Sequence, residues 1–340
     1  MSFFSELKKT FIIAEIGPNH NGNIKNAIKI INSLSKSDIQ AVKFQIAKPN
    51  KLFSKLSFKA NYQNKNDLHK DLFKSAKKRQ LTKKDHIFLR NYCEKKGLIY
   101  LCSAFDLESM RFLIEKLDIK LIKIPSGEIF AMDIIEYINK FDKPILLSTG
   151  MSDLKEIKKA FNLLDRNKKD ILLMHCTSDY PTKLNQLNLK FIDSLKKITP
   201  HIGLSDHTLS LISPCVAVAM GAKVIEKHVT FDKAAKGPDH KSSLSLNQFL
   251  DMVNRIRQTE EIIGVNKKYI SENINNVRSA SFKSIFYKSN FKKNKILNKN
   301  DFCYLRPGVG ISPFHINEIL GKKLKISVKK NQLLKLEDFE

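Results

Sequence analysis

Apolar runs of strand length recur along the chain, separated by stretches in which apolar residues return every three or four positions. Eight runs are legible: FIIAEIG from Phe11, AVKFQIA from Ala41, LIYLCSAF from Leu98, LIKIPSG from Leu121, PILLSTG from Pro144, ILLMHCTS from Ile171, IGLSDHT from Ile202 and VIEKHVT from Val224. The intervening segments, among them NIKNAIKIINSLSKS, DLESMRFLIEKLD, DLKEIKKAFNLLDR and LNLKFIDSLKKI, read as amphipathic helices. Eight strand-plus-helix units predict an α/β fold, a (β/α)8 TIM barrel. A doubly wound open sheet competes, but EIGPNHNGN after the first run lacks the GxGxxG spacing of a dinucleotide turn.

Active sites of such barrels form at the C-terminal ends of the strands. Glu15, Lys43, Gln45, Ser126, Glu128, Ser148, His175, Ser205, His207 and His228 all lie late in their runs or just beyond. The connection from Lys48 to Gly97 is longer than a simple crossover and is expected to cover a substrate. A charged helix, LNQFLDMVNRIRQTEEIIG, follows the last unit and closes the barrel. The reading is a catalytic barrel over residues 1–265, a polar linker over 266–280, and a small domain of short strands and turns over 281–340. That last domain is marginal alone and is expected to dock onto something.

With 340 residues, 42% of them hydrophobic, the chain can bury a large core. No run approaches the roughly 18 apolar residues of a membrane span, and the first residues mix charge too closely for a signal peptide. A cytoplasmic location without membrane attachment is the expectation. The five cysteines form no CxxC pair, so neither disulfides nor zinc–thiolate chemistry is expected. The net charge of +26 invites a nucleic-acid reading. Lysines spread over the whole chain, without a nucleic-acid motif, favour a solvated surface that draws in a small anion.

Alternate residues of a strand share a face, so Ser205 and His207 face one way, and Glu226 and His228 do so in the next unit. Neighbouring strands stand about 5 Å apart, near enough for His207 and His228 to bind one divalent metal. Two separately hydrogen-bonded histidines are the plain alternative. Lys43 and Lys123 lie in apolar runs, where a cation needs a partner, and an anion in the barrel mouth would be one. Ser103, Ser126, Ser148 and Ser205 end their strands, where hydroxyls can hold phosphate oxygens or simply finish a loop. Lys227 falls on the opposite side of its strand from His228 and reads as a structural salt bridge. Glu15 and Glu128 are carboxylates suited to orienting hydroxyls or moving protons, or to pairing with lysine. Asp239, in the KGPDHK turn, and Arg306, in RPGVGISP, could each meet a polar ligand.

Taken together and in order, FIIAEIGPNHNG, AVKFQ, KIPSGE, LLSTGM, MHCTSDYPT, IGLSDHT, GAKVIEKHVTFD and GPDHKSSL resemble the bacterial sialic acid synthase family. LRPGVGISP resembles that family's C-terminal antifreeze-like (SAF, β-clip) domain. The resemblance covers essentially the whole chain. It implies condensation of phosphoenolpyruvate with a mannosamine-type sugar to give a nine-carbon 2-keto acid and phosphate.

The resemblance also implies roles. His207 and His228 would ligate Mn2+ or Mg2+. Lys43, Ser103, Lys123, Ser126, Ser148 and Ser205 would hold phosphoenolpyruvate; Glu15, Gln45, Tyr180 and Asp239 would face the sugar, and Glu128 the reacting carbons. Arg306 would reach the barrel of a partner in a domain-swapped homodimer. Lys183 and Ser178 depart from the residues common in the family, Pro and Asn, on the sugar side. N-acetylmannosamine, giving N-acetylneuraminate, is the first expectation for the acceptor. A 2,4-diacetamido-trideoxymannose giving legionaminic acid comes next, and the altrose analogue giving pseudaminic acid last. A non-enzymatic binding protein would have lost active-site residues, and the matched positions are intact.

Overall fold

A computed structural model describes residues 2–60, 63–64, 71–164 and 170–340. The chain divides into two compact units, Met1–Gly264 and Val265–Glu340.

In the first unit the eight runs form β1 (Phe11–Glu15), β2 (Ala41–Ile46), β3 (Ile99–Ala104), β4 (Ile122–Ile124), β5 (Ile145–Ser148), β6 (Ile171–Cys176), β7 (Ile202–Asp206) and β8 (Val224–Thr230). All pair in parallel in chain order, and β8 returns to β1, closing the barrel. A two-residue strand, β9 (Leu244–Ser245), pairs in parallel beside the end of β8.

Period-two alternation sorts the side chains. Ile13, Ala41, Leu101, Leu121, Leu146, Leu172, Met174 and Val224 face inward and fill the lower barrel, where Phe4 plugs the N-terminal end. The intervening residues, such as Ile12, Val42, Phe44 and Leu204, face outward against the helices. The helix Ile24–Leu34 shows why: Asn23 caps its start, and Ala27, Ile30, Ile31 and Leu34 recur at helical spacing on its buried face. Capping boxes at Thr82/Asp85 and Asp153/Glu156 start two later helices.

Two segments differ from their sequence reading, and a third lies partly outside the described residues. LNLKFIDSLKKI forms only single turns, Leu189–Phe191 and Ile192–Leu195, which start after Asn188 in a left-handed conformation. The polar stretch taken as a linker holds a helix, Glu272–Ser281, N-capped by Ser271. Its side chains are all exposed or nearly so, and the missing buried face hid it from a periodicity reading. Part of KANYQNKNDLHKDLF in the long β2–β3 connection lies outside the described residues.

The second unit contains an antiparallel pair, β10 (Ser284–Tyr287) and β11 (Phe302–Leu305), with four isolated bridges. Ile285, Tyr287, Leu297, Phe302, Ile319, Leu324, Val328, Leu334 and Phe339 form its own core. The Tyr287 hydroxyl donates to Asp338 at 3.0 Å. Among the described residues no helix is long and apolar enough to cross a membrane.

Candidate active site

The same parity that fills the lower barrel with apolar side chains places polar ones above them. Ile13 is followed inward by Glu15, Ala41 by Lys43 and Gln45, Leu101 by Ser103, Leu121 by Lys123, Leu146 by Ser148, and Val224 by Glu226 and His228. Closure of the sheet converges these groups on one axis, and a cavity of about 480 Å3 opens above them.

Its floor is an ion-pair network. Lys123 Nζ lies 2.9 Å from both oxygens of Glu226, and Lys43 Nζ lies 2.6 Å from Glu15 and 3.5 Å from Glu226. Ser205 donates to Glu226 at 3.1 Å, and Lys43 donates to Ser103 at 3.3 Å. None of the four charged residues is more than 3% exposed. Burial alone would raise Glu226, but Lys123 and Lys43 hold it down at about 2. Glu15 shares only Lys43, and burial pushes it up to about 7. Burial works against the charge on both lysines: the two carboxylates nevertheless raise Lys43, while Lys123 stays below its ordinary value. The floor therefore holds two cations against one firm anion and one carboxyl near neutrality, a preorganised seat for an incoming anion.

Beside the floor stand the two histidines. His207 and His228 meet edge to face with ring centroids 5.4 Å apart. Tyr180 lies over His207 at 4.1 Å. His207 Nδ1 donates to the Thr177 carbonyl at 2.8 Å, which leaves its Nε2 as the acceptor nitrogen. Burial, with His207 and Lys43 nearby, lowers His228 and keeps its imidazole neutral. Its buried Nδ1 has no hydrogen-bond partner, and Asp239 Oδ2 lies 3.6 Å away. Burial raises Asp239 to about 6 against the pull of His207, Arg79 and Lys43. Two adjacent imidazoles, one with an orphaned buried nitrogen, are the residues that could hold a divalent cation. Among the described residues no three His, Cys, Asp or Glu side chains gather as a ready cation cage.

Lys43, Gln45, Ser103, Lys123, Ser126, Glu128, Ser148, Tyr180, Ser205, His207, His228 and Asp239 all line this cavity. Glu15 does not. It is fully buried inside the barrel and reaches the cavity through Lys43 and through Gln45, which donates to it at 2.8 Å. Arg306 stands exposed just beyond β11 in the second unit. Glu128 sits at the rim, where burial first and the carboxylates of Asp133 and Asp106 next push it up to about 7. The close fit of the strand ends shows at Gly150, whose N–H donates to Ser126 Oγ at 2.9 Å. A β-carbon there would stand 2.3 Å from Ser178 Oγ and 2.8 Å from Cys176 Sγ.

One mouth residue of the sequence reading is displaced. His175 faces outward, because Leu172, Met174 and Cys176 of β6 take the inward positions, and its Nε2 meets the Leu187 carbonyl at 2.7 Å. Lys227 also faces outward, 2.6 Å from Asp206 of the neighbouring strand. Glu226 shares the inward parity of His228, and its pairing with Lys123 and Lys43 is a contact that the sequence pattern alone does not single out. Nor does the pattern single out Cys176, whose Sγ lies 3.7 Å from Ser126 and 3.8 Å from His207.

A closed parallel barrel whose strand ends join a buried lysine pair to a histidine pair makes this chain a TIM-barrel protein with a polar site at the C-terminal end of its sheet. Within that class, this chain belongs to the NeuB family, whose profile matches residues 15–268. It is 39% identical over 338 residues to the N,N'-diacetyllegionaminic acid synthase of Campylobacter jejuni, covering 97% of this chain and 100% of that one. To the pseudaminic acid synthase of the same strain it is 33% identical over 344 residues, covering 99% of this chain and 98% of that one. Among solved structures it resembles the N-acetylneuraminic acid synthetase of Leptospira borgpetersenii in complex with citrate. There the TM-score is 0.69 and the identity 27%, over 79% of this chain and 90% of that one.

Proposed function

We propose that the chain condenses phosphoenolpyruvate with an open-chain amino sugar and water to give a nonulosonic acid and phosphate. The observation that carries this reading is the buried Lys43–Glu226–Lys123 floor beside His207 and His228 in one cavity. The acceptor we propose is 2,4-diacetamido-2,4,6-trideoxymannose, giving a legionaminic-type product. Identity of 39% to a legionaminic synthase, against 33% to a pseudaminic synthase and 28% to the human N-acetylneuraminate-9-phosphate synthase, supports it over the N-acetylmannosamine expected from the motifs.

In this reading Lys43 and Lys123, with Ser103, Ser126, Ser148 and Ser205, bind the phosphate and carboxylate of phosphoenolpyruvate. The enol carbon forms the new C–C bond to the sugar's aldehyde carbon, and the aldehyde oxygen takes a proton. Glu128, protonated near neutrality, stands at the rim as its source. Water then adds to the former enol carbon, and phosphate leaves with cleavage of the C–O bond. Gln45, oriented by Glu15, binds sugar hydroxyls together with Tyr180 and Asp239. His207 and His228 would hold Mn2+ or Mg2+, which supplies Lewis-acid polarisation of the aldehyde when bound.

We further propose that residues 281–340, within the unit Val265–Glu340, form an antifreeze-like SAF domain that brings Arg306 to the barrel of a partner in a domain-swapped homodimer. Its separate core and the exposure of Arg306 support this. A cytoplasmic enzyme acting on small anions fits these parts. Purified protein with Mn2+, phosphoenolpyruvate and each of the three amino sugars tests the reading by phosphate release. Folded protein that releases phosphate with none of them would overturn it.

A further inference from the structure

The loop after β1 reaches over the end of β8, the strand that β1 meets where the barrel closes. Asn19 in that loop is fully buried, and its amide makes two donations. Nδ2 donates at 2.9 Å to the carbonyl of Val229, the residue after His228, and at 2.8 Å to Ser243 Oγ. Ser243, also fully buried, donates its own hydroxyl hydrogen to the Asp239 carbonyl at 2.7 Å. One side chain thus ties the backbone beside His228 to the turn that carries Asp239. In that arrangement Asp239 Oδ2 stands 3.6 Å from His228 Nδ1.

Other bonds fasten the neighbours of Asp239 in the turn. Asn21 Nδ2 donates to the Lys236 carbonyl at 3.1 Å, and Thr230 Oγ1 meets His240 Nδ1 at 2.7 Å. Asn19 acts, through one hydroxyl, on Asp239 itself. Without its amide the Val229 carbonyl and the Ser243 hydroxyl would each lose a buried partner. The lysine floor is held by different bonds, since Glu226 of β8 is gripped by Lys123 at 2.9 Å and by Ser205 at 3.1 Å. Asn19 is not among the residues that line the cavity.

We infer that Asn19 is a positioning residue: acting through Val229 and Ser243, it sets the Asp239 carboxylate against the His228 imidazole and so fixes the acceptor sugar relative to the histidine pair. This rests on the roles proposed above for Asp239 and His228.

The test joins calorimetric titration of Mn2+ into the protein without substrates to steady-state kinetics with whichever of the three amino sugars wild type turns over fastest. Asn19→Ala loses both ties. It should raise the acceptor KM ~10-fold and weaken Mn2+ binding about tenfold, with the KM for phosphoenolpyruvate within about twofold of wild type. Ser243→Ala leaves the Val229 tie in place, so it should raise the acceptor KM ~3- to 10-fold and keep Mn2+ affinity within about twofold. The double variant should show less than the product of the two single effects on the acceptor KM, because both reach Asp239 along one path. Circular dichroism melts check folding, and if Asn19→Ala does not fold, the Ser243→Ala values decide. Equal rises in the two KM values, an unchanged acceptor KM in Ser243→Ala, or a full product in the double variant overturns the inference while the proposed function stands. Wild type that releases phosphate with none of the three sugars overturns the proposed function and this inference together.

Discussion

Glu226 meets Lys123 with both carboxylate oxygens at 2.9 Å, inside a barrel where neither side chain is more than 3% exposed. The pair is the centre of the site's floor, since one Glu226 oxygen also lies 3.5 Å from Lys43. A carboxylate between two buried lysines raises Lys43 and opposes the burial that lowers Lys123.

Glu226→Gln leaves Lys123 without its carboxylate partner and Lys43 with Glu15 alone. Breaking a buried pair in this way costs about 3–5 kcal/mol, so the melting temperature should fall clearly below wild type. Inorganic phosphate should raise the melting temperature of the variant more than that of wild type, because it restores the missing negative charge. Unchanged stability, or no extra response to phosphate, would show that the floor is not organised around Glu226.

Outside the barrel, Lys227 and Asp206 form a separate pair 2.6 Å apart, with Thr208 and Ser213 also bonded to Asp206. Lys227→Met should destabilise by about 3–5 kcal/mol, and the double variant with Asp206→Leu should recover part of the loss. The KM for phosphoenolpyruvate should stay within about twofold of wild type in Lys227→Met, as expected for a pair facing away from the cavity. A tenfold change there would place the outer pair in the chemistry.

Glu128 gives a pH signature. Its pKa stands at about 7 against an ordinary 4.5, so in that window the folded chain binds a proton that the unfolded chain lacks. The stability it contributes is full below about 4.5 and is lost as pH rises through about 7. Urea titrations across this window should show wild type losing on the order of 1 kcal/mol relative to Glu128→Gln, after screening at the rim is allowed for. A difference that grows in wild type's favour with pH would contradict the raised pKa.

His228→Ala removes one of the two proposed cation ligands. Condensation should fall at least ~1,000-fold, with far-ultraviolet circular dichroism unchanged, and Mn2+ titration should no longer quench or perturb the protein's binding signal. In wild type, a chelator should remove activity and Mn2+ restore it. Full activity in His228→Ala would refute the proposed role.

The barrel was legible because its strands are apolar and period-two parity is strict. Glu15, Lys43, Lys123 and His228 could be placed at a mouth before any coordinates. Parity also explains the displaced residue: counting from Met174 puts His175 outside, a step that the sequence alone allows once the inward set is fixed. Contacts between distant segments were beyond such counting. Nothing local says that Glu226 would join Lys43 and Lys123, nor that Asn19 would tie Val229 to Ser243. The helix Glu272–Ser281 escaped for a different reason, because without a buried face it has no apolar period to read.

The central claim is that the lysine floor binds phosphoenolpyruvate for attack at carbon, with phosphate lost by C–O cleavage. Phosphoenolpyruvate labelled with 18O at the bridging oxygen tests it, with the proposed diacetamido acceptor and Mn2+, by mass spectrometry of the products. The account predicts that the label leaves in the phosphate and that the new C2 oxygen of the product comes from water. Label retained in the nonulosonic acid, with unlabelled phosphate released, would contradict it.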